Sequence, residues 1–116
     1  MSSQAQSARQ LFFVYAPDKT EEGTFERRMS VRPGHLEVAK ERTGQGLIRV
    51  AGGLMTPESI ASPDAPKKLV GSTFIFQAES LEEVKRLVEE DVYFKSGVWD
   101  PEKLVILPFA SATPIP

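Results

Sequence analysis

The stretch KKLVGSTFIFQAESLEEVKRLVEED, residues 67–91, passes from one periodicity to another, and that change decides the fold. Its first half, rich in β-branched and aromatic residues, reads as a strand. Its second half, SLEEVKRLVEED, is the clearest helix in the chain. Ser80 and Glu83 make a capping box, and Leu81, Val84, Leu87 and Val88 fall on one apolar stripe. Working outward, QLFFVYA (residues 10–16) reads as a buried strand closed by a turn at Pro17-Asp18-Lys19. Residues 24–43 are helical in composition, but Pro33 is costly inside a helix, so the expectation is a short turn over FERRMSVR and a main helix starting near Pro33. LIRVAGGLM (47–55) is a further strand ending at paired glycines, and TPESIASPDAP (56–66) is a loop long enough to act as a lid. VYFKSGVW (92–99) is an irregular aromatic segment and KLVILPF (103–109) a last strand. The order is β-α-β-β-α-β, a ferredoxin-like α+β fold with an antiparallel sheet and both helices on one face.

In such a sandwich the helix-free face should meet water, and its strands should alternate apolar with polar residues. LFFVY, FIF and LVILPF do not alternate; they are apolar at consecutive positions, so both faces of the sheet are expected to be buried. Two helices cover one face only. The expectation is a homodimer packed sheet against sheet, with cover by the loop and the C-terminal tail as the alternative.

A chain of 116 residues suffices for one domain, expected over residues 10–110, with a flexible extension over 1–9 and a tail over 111–116. The 26% charged and 41% hydrophobic residues are those of an ordinary globular protein. A formal charge of −2 offers no broad basic surface, which argues against nucleic acid as a partner. With no cysteine and one histidine, the chain offers neither a thiolate nucleophile nor a multi-histidine metal site, and no metal is expected. The N-terminus lacks an apolar core, so neither a signal peptide nor a membrane anchor is read there; its Ser- and Arg-bearing, acid-free character leaves a transit peptide as the alternative, and the default location is the cytoplasm.

His35, in SVRPGHLE, is the first candidate for chemistry, since histidine is suited to carry a proton near neutral pH. If Pro33 opened the helix, His35 would lie in its first turn, where the helix dipole disfavours imidazolium. The alternative is a surface or capping histidine. Asp91 ends the acidic run EED; it is either solvated with Glu89 and Glu90 or held in place to orient a histidine. Arg32 is placed to grip an anionic group or to pair with a carboxylate. Gly52, Gly53 and Gly71 let a ligand or another backbone approach, or mark bulges. GQGLIRVAGG is no dinucleotide fingerprint, because its glycines flank a strand, and no G-x-S-x-G is present.

Together, FFVYAPDK, ERRMSVRPGHLE, GLIRVAGGLM, GSTFIFQAESLEEVKRLVEEDVYFKSGV and KLVILPF resemble the YCII-related domain family, in order and over about residues 11–109. That family's pattern is an opening strand followed by Asp, R-x-x-H-L, a strand ending A-G-P, G-S on the third strand, a helix ending D-P-Y, and a final strand ending P-F. The resemblance implies a dimeric α+β barrel with a His and Asp pair in a cleft, regarded as an acid/base site; one branch eliminates chloride from a chlorinated hydroxyquinol. Carried over, the pair is His35 and Asp91, the arginine is Arg32, the first aspartate is Asp18, the G-S pair is Gly71 and Ser72, and the tyrosine is Tyr93. Two positions depart from the pattern: Val92 stands for the proline of D-P-Y and Gly53 for that of A-G-P.

The leading expectation is a cofactor-independent enzyme in which His35, oriented by Asp91, moves a proton on a small hydroxylated aromatic or polyketide-like substrate. The step would be an elimination, isomerisation or related lyase reaction. Arg32 and Ser72 would bind or polarise an oxygen, Asp18 and Tyr93 would join the binding set, and Phe94 and Trp99 would help wall the pocket. The rivals are a dimeric small-molecule-binding or accessory module and a cofactor-free oxygenase of the same barrel superfamily.

Overall fold

The computed structural model describes residues 9–116, so all but the last residue of the expected N-terminal extension lies outside the described part of the chain. Its elements are β1 (Gln10–Pro17), α1 (Thr24–Gly44), β2 (Ile48–Met55), a single 3-10 turn (Pro57–Ile60), β3 (Leu69–Ala78), α2 (Leu81–Glu90), a one-turn α3 (Val92–Lys95) and β4 (Val105–Phe109). The strands form one antiparallel sheet in the order β2-β3-β1-β4. This is the ferredoxin-like α+β arrangement expected from the element order, with the helices on one face.

Alternation along the central strands selects that face. Phe12, Val14 and Ala16 of β1 and Phe74, Phe76 and Ala78 of β3 point to the helices and are buried. Val84, Leu87 and Val88 of α2 close over them, the stripe read from the sequence. Ser80 caps α2 by accepting the Glu83 N–H at 3.1 Å. The reciprocal half of the capping box is shifted by one residue, since the Glu83 carboxylate takes the N–H of Glu79 at 2.9 Å.

Helix α1 departs from its expected form. It runs unbroken through Pro33, so His35 sits in mid-helix and the argument from the dipole of a first turn does not apply. Local propensity is overridden by long-range anchoring. The buried side chains of α1 are polar, and three of them, Arg28, His35 and Arg42, recur every seven residues on one face. Each is tied to another element: Arg28 to Asp18 and Ser72, His35 to Asp91, and Arg42 to the Leu87 carbonyl at 2.9 Å. Those bonds anchor the helix on both sides of a residue that cannot donate to the ladder. One smaller difference accompanies this one: the aromatic segment after α2 begins with the helical turn α3, whereas β2 runs over Ile48–Met55 within the 47–55 read from the sequence.

The other sheet face carries Leu11, Phe13 and Tyr15 of β1, with Leu107 and Phe109 as their β4 neighbours and Ile75 beside Phe13 on β3. It is apolar and open along β1 and the β4 edge, where Tyr15 is 40% exposed and Leu107 56%. The tail covers only one end. Leaving β4 at one edge of the sheet, it reaches Arg49 at the other, whose guanidinium donates to the carbonyls of Ile115 and Pro116 and to Gln77. Among the described residues no helix is long and apolar enough to cross a membrane.

Candidate functional site

The α1 heptad places His35 opposite the junction of α2 and α3. There the chain turns out of α2 at Asp91, whose extended backbone lets its carboxylate cap α3 by accepting the Tyr93 N–H at 2.9 Å. The same carboxylate meets His35: Nδ1 lies 2.8 Å from Oδ1 and 3.0 Å from Oδ2, with both residues buried. Asp91 is therefore drawn out of the acidic run, while Glu89 and Glu90 stay exposed. A carboxylate accepts, so the shared hydrogen belongs to Nδ1, and in the neutral imidazole that arrangement puts the lone pair on Nε2.

Aromatic rings fix the imidazole. Tyr93 stacks on it with centroids 4.0 Å apart and planes 19° apart, and Phe74 and Trp99 meet it edge-on at 6.2 Å. The Tyr93 ring also carries the Arg28 guanidinium, 4.5 Å from its centroid. Burial raises the Tyr93 phenol above its ordinary value, against the lowering influence of Arg28.

Beneath the histidine lies a second polar group. Arg28 donates to Asp18 at 2.7 Å and to the Ser72 hydroxyl at 3.0 Å, and Ser72 also accepts the Trp99 indole N–H at 3.2 Å. With both lone pairs of Ser72 used, its own hydrogen has no acceptor among the described residues. Asp18 Oδ2 and Arg28 Nε are buried without a partner among the described residues. Burial is the larger influence on Asp18 and raises its pKa, while the Arg28 charge lowers it.

Between α1 and the β2–β3 ladder is a cavity of about 130 Å³ lined by His35, Arg28, Arg32, Ser72, Tyr93 and Phe74 among others. Thus His35, Arg32, Ser72 and Tyr93, all singled out in the sequence, share one cavity, and Asp91 stands behind His35. Arg32 is half-buried there and makes no hydrogen bond or ion pair among the described residues. Asp18 is not on the cavity; it lies behind Arg28. Trp99 supports Ser72 and His35, whereas Phe94 packs against the core. Arg28 was missed. Its signal in the sequence was its place seven residues before His35 on the same helix face. A groove of about 1200 Å³ beside the β1–α1 loop is far larger, but it is lined by Lys19, Glu21, Lys68 and Lys103 and includes neither His35 nor Asp91. Among the described residues no group of three or more His, Cys, Asp or Glu side chains is placed to hold a metal ion.

The sequence profile of the YCII-related domain matches residues 10–110. Protein YciI of Escherichia coli is 32% identical over 99 residues, covering 85% of this chain and 95% of that protein. Fusaric acid biosynthesis protein 2 of Gibberella fujikuroi is 46% identical over a shorter span of 41 residues, 35% of this chain and 39% of that one. Among solved structures, the 5-chloro-2-hydroxyhydroquinone dehydrochlorinase of Burkholderia phenoliruptrix, in complex with 2,5-dihydroxybenzoquinone, superposes with a TM-score of 0.70 at 25% identity, over 86% of this chain and 93% of that one.

Proposed function

The chain belongs to the YCII-related domain family, and from that premise we propose that the cavity beside His35 is the active site of a small enzyme. It works by acid and base chemistry, without a cofactor, on a small hydroxylated aromatic or polyketide-like substrate, in an elimination, isomerisation or related lyase step. One observation carries this reading: the Asp91 carboxylate lies 2.8 Å from Nδ1 and accepts its hydrogen bond, which in the neutral imidazole leaves the lone pair on Nε2 of a ring that lines the cavity.

In this reading Nε2 removes a proton from a substrate hydroxyl, and the imidazolium so formed is stabilised by the Asp91 carboxylate. Negative charge developing on the substrate oxygen is met by the Ser72 hydroxyl, whose acceptor sites Arg28 and Trp99 already fill, and by Arg32. As that oxygen becomes a carbonyl, its electron pair moves into the ring. In an isomerisation the imidazolium then returns its proton to a ring carbon; in an elimination that carbon bears the leaving group, Nε2 next removes the proton of a second hydroxyl, and as the second carbonyl forms the leaving group departs with its bonding pair. A fold neighbour that removes chloride from a hydroxyhydroquinone supports this chemistry.

Two copies pairing their open sheet faces would bury Tyr15 and Leu107, and we take the working unit to be that homodimer. The test is to supply 5-chloro-2-hydroxyhydroquinone and follow chloride release. His35→Gln is expected to lower turnover by about 10²- to 10⁴-fold while 2,5-dihydroxybenzoquinone still binds. If wild type binds the quinone but releases no chloride and converts no related hydroxyquinone, the protein is a binding module and the catalytic reading fails.

A further inference from the structure

We propose that Leu69 supplies the side chain that Gly53 lacks, and that this pair restricts the His35 cavity to substrates with a single ring. The inference rests on the active-site reading above and adds to it the size of the substrate and the residue that sets it.

Gly53 is the cross-strand partner of Ser72 on the β2–β3 ladder, so a side chain at 53 would stand next to Ser72 on the helix-facing side of the sheet. No left-handed backbone angle calls for glycine there. The reason is space. A Cβ at 53 would lie 2.8 Å from Leu69 Cδ2 and 3.6 Å from Arg28 Nη2, so the leucine methyl already occupies that place and would have to move to admit it. Leu69 reaches this point because the register shifts between Leu54 and Met55, which sets Leu69 opposite Met55 at the mouth of the ladder. Its methyl thus fills the volume beside Ser72 and Arg28 that residue 53 leaves empty. Gly52 differs: a Cβ there would meet nothing within 4 Å.

The consequence is a matter of volume. Gly53 and Leu69 both line the cavity, which measures about 130 Å³. An engineered cavity of about 150 Å³ holds one benzene ring. A substrate ring hydrogen-bonded to Ser72 would have the Leu69 methyl as its neighbour on the β2 side. A fused second ring on that side would occupy the space of the Leu69 branch.

The experiment is equilibrium binding of two probes to the full chain, read by quenching of its single tryptophan, Trp99. The probes are 2,5-dihydroxybenzoquinone, with one ring, and 2-hydroxy-1,4-naphthoquinone, with two. Wild type is expected to favour the single ring at least tenfold. Leu69→Ala removes the isopropyl group and should shrink that preference at least tenfold by gaining affinity for the two-ring probe. Gly53→Ala added to Leu69→Ala puts a methyl back into the vacated space and should restore part of it, a readout that general loosening of the fold would not give. If wild type binds the single-ring probe and Leu69→Ala leaves the ratio within twofold, the gate is refuted while the active-site reading stands. If wild type binds neither probe, both fall together.

Discussion

At His35 one carboxylate partner decides which nitrogen meets the cavity, and at Asp18 one ion pair decides where a charge is held. Asp18 and Arg28 are both buried, 2.7 Å apart, each with one polar atom left unpartnered. Burial outweighs Arg28 and raises the Asp18 pKa above 3.8. The folded chain then keeps this proton to higher pH than the unfolded chain does. Asp18 therefore contributes its full stability below the unfolded value and loses it as the pH rises through the folded one. Asp18→Asn removes the titration. In urea melts from acid to neutral pH, the stability of wild type relative to this variant is predicted to fall as pH rises from about 3.8; a rise would mean that the ion pair, not burial, governs the site. Sequence reading found His35 and Asp91 through residue type and family pattern, yet it passed over Arg28. Its partners lie 10 and 44 residues away, and nothing local announces them.

Among the elements, α2 was legible because everything that makes it a helix is local: a cap at Ser80 and an apolar stripe of Val84, Leu87 and Val88. The start of α1 was not, because its cause is distant. Pro33 argues locally for a break, while Arg28, His35 and Arg42 bind the helix to three other parts of the fold. Arg42 also has an electrostatic task. It donates to the carbonyl of Leu87 in the last turn of α2 and lies 3.4 Å from Glu90, so it satisfies a carbonyl left open at a helix end and places positive charge at the negative end of the dipole. Arg42→Met keeps most of the stem but removes the charge and both donors. It is predicted to lower the unfolding free energy by about 1.5–3 kcal/mol, measured by denaturant titration. A loss below about 0.5 kcal/mol would mean that α1 is held by Arg28 and His35 alone. The β2 and β3 strands were legible as strands, but the register shift that brings Leu69 against Gly53 was not, since a bulge depends on the partner strand.

For the molecule as a whole, apolar residues at consecutive strand positions already indicated that both faces of the sheet need cover. The chain covers one face with its helices and only an end of the other with its tail, leaving Tyr15 and Leu107 exposed on an open apolar surface. In the proposed sheet-to-sheet homodimer a charge there would be buried without a partner, so Leu107→Asp is predicted to weaken self-association at least tenfold in sedimentation equilibrium while helix content is retained. Equal association of variant and wild type would place any dimer contact elsewhere. The central claim concerns the buried pair at the other face, and it is tested most directly by the tautomer of the chain's one histidine, read from the long-range ¹⁵N–¹H NMR spectrum at about pH 9, where an ordinary imidazole is neutral. The account predicts a proton on Nδ1 in wild type, a shift of the Nε2 resonance when 2,5-dihydroxybenzoquinone is added, and movement of the proton to Nε2 in Asp91→Asn. A wild-type spectrum with the proton on Nε2, unmoved by the quinone and by Asp91→Asn, would contradict it.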